Sequence, residues 1–253
     1  MADIKIIVAT HKKYWMPADK MYIPVHVGAE ISNVNLGYTK DNTGENISRK
    51  NKNYCELTGL YWAWKNLKAD YIGLAHYRRH FCAKGSRGTK QERVLTSEQA
   101  EALVRENEIL VPTPRRYFIE TNYSQYAHAH NAIDFDKTRE ILCEKYPEYV
   151  KAYDVCMAKT SCHLFNMFIM KKEKFDEYCE WLFDVLSELE KRLDISKYST
   201  DDARVFGFVS ERLLDVWLAT KGYKYKEVPY IFMERQNWLK KGFNFLKRKF
   251  VGR

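Results

Sequence analysis

The strongest constraint on this chain is the order of its hydrophobic periods. Short apolar, β-branched runs alternate with longer stretches in which apolar residues recur every three or four positions. Ile4 to Thr10 reads as a buried first strand. Tyr22 to Val27 is a second, limited by Pro24 to an edge or a short piece. Residues 41–46 have turn chemistry and form a loop. Tyr54, Leu57, Tyr61, Trp64 and Leu67 share one face of a helix from about Asn53 to Leu67. Asp70–Ala75 is a strand that runs into His76-Tyr-Arg-Arg-His80. Thr96 and Gln99 have the spacing of a capping box and open the next helix. Further strands are expected at Glu108–Val111, Asn166–Met170 and Tyr225–Pro229. Helices are expected at Asp134–Tyr146, ended by Pro147, and at Glu173–Leu193 and Gly207–Thr220. Such alternation dictates an α/β architecture with a mostly parallel sheet covered on both faces.

The formal net charge is +9, which invites an acidic partner, so its location matters. Residues 235–253 hold seven basic residues and no Asp or Glu, leaving +2 for residues 1–234. We therefore divide the chain into a near-neutral body, 1–234, and a basic tail, 235–253. In the tail, Leu239, Phe243, Leu246 and Phe250 make one helical stripe among lysines, the pattern of an interfacial amphipathic helix. The expectation is association with an anionic membrane surface. A helix packed back on the body is the plainer account of the same stripe. The six cysteines form no CxxC pair, and no run of 18 apolar residues or leader peptide is visible. A reducing cytoplasm, with the protein peripheral on the inner face of the membrane, fits that usage.

No phosphate-binding glycine loop, nucleophile elbow or zinc-protease motif occurs. The candidates for chemistry are local clusters. His76, Arg78 and Arg79 follow a strand, where open α/β sheets bind ligands, and their bidentate donors suit a diphosphate. A solvated basic turn is the bland alternative. Thr10 and His11 follow the first strand. Asn53 and Glu56 lie at a helix start, where capping explains Asn53 and a first-turn acid explains Glu56. His163 and Asn166 precede a core strand, where a histidine is usually a structural hydrogen-bonder. Glu211 and Arg212 sit early in an apolar helix. A partly desolvated carboxylate there suits a general base, and an ion pair with Arg204 or Arg212 is the competing account. Asp201 and Asp202 cap that region or contact a metal.

Together these segments resemble a bacterial family long catalogued as a domain of unknown function, found in capsular and exopolysaccharide gene clusters and described as glycosyltransferases. The resemblance rests on Lys5-Ile-Ile-Val-Ala-Thr-His11, Asp41-Asn-Thr-Gly-Glu-Asn-Ile47 and Asn53-Tyr-Cys-Glu-Leu-Thr-Gly-Leu-Tyr-Trp-Ala-Trp-Lys-Asn66. It continues through Tyr71-Ile-Gly-Leu-Ala-His-Tyr-Arg-Arg-His80, His163-Leu-Phe-Asn-Met-Phe-Ile-Met170 and Phe206-Gly-Phe-Val-Ser-Glu-Arg-Leu-Leu214, most of residues 1–235. It implies a GT-A-like enzyme, a Rossmann-like αβα sandwich, using a UDP-sugar. Some relatives look like galactofuranosyltransferases of O-antigen or capsule assembly, so UDP-galactofuranose is one donor to consider.

The resemblance also implies roles. His76, Arg78 and Arg79 would hold the diphosphate, with Thr10 and His11 near uridine. Glu211 would be the base of an inverting transfer. Asn53, Glu56, His163 and Asn166 would line the sugar or acceptor pocket, and the acceptor would be a lipid-linked glycan. One departure stands out. GT-A enzymes usually hold Mn or Mg on an Asp-x-Asp motif, and His76-Tyr77-Arg78 occupies the equivalent place. Metal-independent transfer, or a metal held through a histidine, is the expectation. Two other classes compete: a non-catalytic scaffold of a polysaccharide-assembly complex, and a nucleic-acid-binding module. The near-neutral body and the lack of a binding motif argue against the second.

Overall fold

The computed structural model describes residues 2–234. The proposed amphipathic helix of 235–253 lies outside the described residues. In chain order the elements are β1 (Ile4–Thr10), β2 (Tyr22–His26), β3 (Thr39–Lys40), α1 (Asn51–Tyr54), α2 (Leu57–Asn66), β4 (Tyr71–His76) and β5 (Arg79–Phe81). Next come α3 (Ser97–Val104), β6 (Ile109–Pro112), β7 (Arg115–Arg116), α4 (Asn122–Ala129), α5 (Ile133–Lys145), α6 (Pro147–Ala158) and β8 (Ser161–Cys162). The last are β9 (Phe168–Lys171), α7 (Lys172–Arg192), α8 (Val205–Lys221), β10 (Lys226–Val228) and β11 (Tyr230–Phe232).

The main sheet has the order β10-β6-β9-β4-β1-β2-β3. Six of these strands run one way and β9 runs against them, between β6 and β4. Strands β5 and β11 form an antiparallel flap off the end of β4. The sheet is therefore mixed but mostly parallel, as the alternation predicts. Strand β1 is apolar on both faces because both are covered. On one face Leu57, Leu60, Phe168, Phe175, Leu182, Val209, Leu213, Val216 and Trp217 form the larger core. On the other, Ile6, Val8, Phe81, Leu95, Ala100, Met167 and Ile169 form the smaller. Pro24 pairs only on the β1 side, opposite Val8, while β3 pairs Val25 and His26 beyond it, so its missing N–H costs no ladder bond.

Three expectations need correction. The helix read from Asn53 to Leu67 is two helices, interrupted at Cys55, whose φ of 52° leaves the helical region. Asn53 is not a cap. It lies inside α1, and its Nδ2 donates to Ala203 O at 2.7 Å, tying α1 to the turn before α8. Pro147 does not only end α5. It occupies the first turn of α6, where its missing N–H would be unbonded in any case. The capping box at Thr96 and Gln99 is present as read.

Candidate functional site

Strands β1 and β4 are parallel neighbours, with Ala9 opposite His76, so their carboxyl ends open on the same edge of the sheet. The turn after β1 delivers Thr10, His11 and Lys12 there. The turn after β4 delivers Tyr77, Arg78 and Arg79. The facing wall comes from the break between α1 and α2, with Lys52, Cys55 and Glu56, and from the start of α8, with Arg204, Phe208 and Glu211. These residues enclose a cleft of about 760 Å³, within the size range of small-molecule sites. The break at Cys55 has a local use: it turns Cys55 and Glu56 toward the cleft. Gly207 permits the wall to close, since a Cβ there would lie 3.3 Å from that of Cys55.

The cleft is cationic at its rim and acidic within. Lys12, Lys52, Arg78, Arg79 and Arg204 face Glu56 and Glu211. His11 registers the field. Burial, then Lys12, Arg78 and Arg204, lower its pKa. The guanidinium of Arg79 lies over the Phe165 ring at 4.3 Å and near Phe232 at 5.4 Å, held by cation–π contacts. Arg204 Nε approaches Cys55 Sγ at 3.3 Å, with its guanidinium over Phe208 at 5.0 Å. Burial pushes the Cys55 thiol up to about 12, which keeps it protonated and unreactive.

His76 has a different part from the cation its sequence position suggested. Its Nε2–H donates to Phe165 O at 2.5 Å, and burial followed by the Arg79 charge lowers its pKa to about 4. It is a neutral imidazole 4.0 Å from Glu56 Oε1. His80 leaves the cluster altogether: it is fully buried, edge-on to Trp15 and Tyr22. Thr10 lines the cleft, but its hydroxyl is used within its own turn, donating to Lys12 O at 2.6 Å and accepting from Lys12 N–H at 3.2 Å.

Both carboxylates are shifted upward. For Glu56 the cause is burial, opposed by the Nδ2–H of Asn166, which donates to Oε1 at 2.7 Å. For Glu211 it is burial, opposed by Arg212 and reinforced by Glu56. Arg212 Nη1 holds Glu211 Oε2 at 2.9 Å, and it is anchored in turn by Phe208 O at 3.1 Å and Gln125 Oε1 at 2.9 Å. Glu211 thus has the ion pair with Arg212 that the sequence raised, yet it still lines the cleft.

Three expected site residues do not line the cleft: Asn53, whose amide is spent on Ala203 O, and His163 and Asn166. His163 pairs through Nδ1 with Asp215 and lies 3.6 Å from Glu227 through Nε2. Burial opposes its charge, but Asp215 outweighs this and raises its pKa. It is a structural ion-pair histidine. Asn166 stands one layer behind the cleft. Besides Glu56, its Nδ2 reaches Gly207 O at 3.2 Å, and its Oδ1 accepts from Ser210 Oγ at 2.9 Å. Its φ of 54° suits asparagine better than most residues. Lys12 and Lys52 are not among the site residues expected from the sequence, and Arg204 enters there only as an ion-pair partner. They come from three separate stretches, the loop after β1, helix α1 and the residues before α8, and only the fold brings them together.

Among the described residues no group of three or more His, Cys, Asp or Glu is placed to hold a metal ion. At the end of β4 the His76 Nε2 is already committed to Phe165 O, and five cations surround the two acids. That donor set does not fit a divalent ion.

The family model described as "Domain of unknown function (DUF4422)" matches residues 5–222. No curated protein matches the chain. A solved structure of WbbM, described as a bifunctional glycosyltransferase in its apo form, is similar at 31% identity with a TM-score of 0.85. The match covers 92% of this chain and 46% of that one, so this chain spans about half the length of WbbM. The sheet order, the helices on both faces and this likeness give the chain a GT-A-like fold.

Proposed function

The chain belongs to the DUF4422 family, and from that premise we propose that it is a glycosyltransferase, moving a sugar from a UDP-sugar to a hydroxyl of a lipid-linked glycan. The observation that carries the reading is the division of charge in the cleft: five cations at the rim and two carboxylates of raised pKa within. Glycosyl transfer needs both. The leaving nucleoside diphosphate develops negative charge, which preorganised guanidinium and ammonium groups stabilise. The acceptor hydroxyl must lose a proton, and a carboxylate with a pKa shifted toward neutrality is suited to take it.

In an inverting transfer Glu211 takes the acceptor proton as the acceptor oxygen bonds to the anomeric carbon. The bond from that carbon to the diphosphate oxygen breaks, and its electron pair leaves with the nucleotide. Arg78, Arg79, Arg204, Lys12 and Lys52 receive the diphosphate. The buried ring of Tyr77, 5.1 Å from Lys12 and 5.2 Å from Arg78 and edge-on to His11, seats these two cations at the cleft. Asn166 positions Glu56, and neutral His76 is held by Phe165 O rather than by phosphate. UDP-galactofuranose and UDP-galactose are the first donors to try, and capsule, exopolysaccharide or O-antigen synthesis is the setting. No helix among the described residues is long and apolar enough to cross a membrane. We place the enzyme peripherally on the inner face of the membrane, with tail 235–253 as one contact.

The test is a thermal-shift and calorimetric screen of nucleoside diphosphates and UDP-sugars, with and without manganese, followed by a donor-hydrolysis assay. Stabilisation by UDP, with turnover that survives chelator, is expected. No nucleotide binding at all would favour a non-catalytic scaffold, and turnover lost to chelator and restored by manganese would overturn the metal-free version.

A further inference from the structure

Strand β6 runs parallel to β4, so the segment that follows it leaves the sheet on the same edge as the cleft. It begins with β7, which pairs with β8 from beyond α4, α5 and α6, Arg115 opposite Cys162 and Arg116 opposite Ser161, and a short loop then leads from β7 to α4. What that loop exposes at its tip is unusual. Phe118 is 85% exposed and Ile119 66%. Phe118 also sits at φ 65°, the centre of a three-residue turn in which Ile119 N–H donates to Tyr117 O at 2.8 Å. This is the strained left-handed position in which a bulky residue is disfavoured and glycine is natural. An aromatic there costs free energy twice, once in backbone strain and once in apolar exposure, and among the described residues nothing covers the Phe118 ring.

The surroundings identify what does. Arg115 and Arg116 are exposed beside the tip, and exposed Lys159 adjoins it, its carbonyl oxygen accepting from Asn122 N–H at 2.8 Å. The acid of the loop, Glu120, is turned inward, buried and bonded to His128 Nδ1 at 2.7 Å. The loop therefore presents two apolar side chains beside three exposed cations, with no exposed carboxylate of its own. We propose that this loop is a membrane contact: Phe118 and Ile119 enter the interfacial layer of an anionic bilayer while Arg115, Arg116 and Lys159 pair with its headgroups.

The loop is joined to the cleft. Tyr117, at its base, is buried and receives Arg212 Nη2 at 3.4 Å on its hydroxyl, and Arg212 Nη1 holds Glu211 at 2.9 Å. A bilayer meeting Phe118 thus faces the edge of the sheet on which Glu211 lies. That arrangement suits an acceptor carried by a lipid. The contact itself stands on exposure, strain and charge, and it survives if the glycosyl-transfer reading fails.

The experiment uses the full chain and flotation with vesicles of phosphatidylcholine alone or with added phosphatidylglycerol. The variant Phe118→Ser/Ile119→Ser is expected to weaken binding to anionic vesicles by roughly tenfold or more, and Arg115→Gln/Arg116→Gln by several-fold with a reduced salt dependence. Thermal midpoint and donor hydrolysis in detergent-free buffer should not change, because the altered side chains are exposed and lie outside the cleft. A Phe118→Trp chain should gain a fluorescence component quenched by brominated lipid beyond that of the native tryptophans. Vesicle binding unaltered in both double variants, or an indole component in Phe118→Trp that brominated lipid leaves untouched, overturns the proposal. A face for a protein partner would give that same unaltered binding.

Discussion

Asn166 donates through Nδ2 to Glu56 Oε1 at 2.7 Å while its own Oδ1 accepts from Ser210 at 2.9 Å. The amide therefore has a fixed orientation: its NH₂ end must face Glu56. An aspartate at 166 would keep the shape and reverse that contact, setting two carboxylates against each other in a buried site. We expect Asn166→Asp to raise the Glu56 pKa further and to move the acidic limb of the rate profile to higher pH. Asn166→Ala should cost about 1–3 kcal/mol of stability from the polar groups left unpaired. Rate profiles against pH, with unfolding curves alongside, separate the two effects. An unmoved limb in Asn166→Asp would detach Glu56 from catalysis.

Glu211 is held by a cation that is itself anchored by further hydrogen bonds, so removing its charge should leave its position intact. Glu211→Gln is expected to lower turnover by roughly a hundredfold to ten-thousandfold, the usual span for a lost general base, with UDP affinity kept within a few-fold. Because burial raises the carboxyl pKa, wild-type turnover should climb with pH through a range above the ordinary carboxylate value. Full turnover in Glu211→Gln would pass the base role to Glu56, and Glu56→Gln is the companion measurement.

The two acids show what was legible in the sequence and what was not. Glu211 could be found because α8 is a regular helix: Val209, Leu213, Val216 and Trp217 fix its buried face, and an acid near its start is anomalous. Strands β1 and β4, apolar and ended by polar turns, likewise point to the edge on which the cleft opens. Glu56 is legible as a helix-start acid in a pocket with Asn166, but the break that turns it toward the cleft is not, because it depends on a single φ at Cys55 that no periodicity records. His76 and His80 look alike in sequence and separate only when β5 turns back on β4. β5 itself went unread since Arg79-His80-Phe81 has no strand pattern. The rim cations come from stretches far apart in the chain, a long-range fact that spacing does not contain.

Glu234 lies beside the rim, 3.8 Å from Lys12 Nζ and 3.6 Å from Arg78 Nη1, and competes there with any phosphate. All three side chains are more than a third exposed, so the effect is screened and small. Glu234→Gln should tighten UDP binding about twofold to fivefold at low salt, with the gain fading as salt is added. Arg79→Lys should do the opposite. Lysine loses the guanidinium contact over Phe165 and the paired donors, and we expect UDP affinity to fall roughly tenfold or more. Titration calorimetry at two salt concentrations measures both. Weaker binding in Glu234→Gln would mean that the carboxylate supports the site.

Acid should unfold the protein in a predictable window. His76 and His80 are buried and neutral, both lowered by burial to about 4 from an ordinary 6.5. Above pH 6.5 neither state of the chain protonates them, and their contribution to stability is complete. As pH falls from 6.5 toward 4, the unfolded chain binds protons that the folded chain refuses, so stability is lost across that window. The limit is roughly 3 kcal/mol for each histidine. Glu56 and Glu211 act with the opposite sign. Their raised pKa values give stability that is full below the ordinary carboxylate range and declines as pH rises through the shifted values. Urea unfolding between about pH 7 and 4.5 should show a falling midpoint, and His80→Gln should flatten it by about one proton. A pH slope that His80→Gln leaves unchanged would mean that the His80 imidazole is protonated inside the fold.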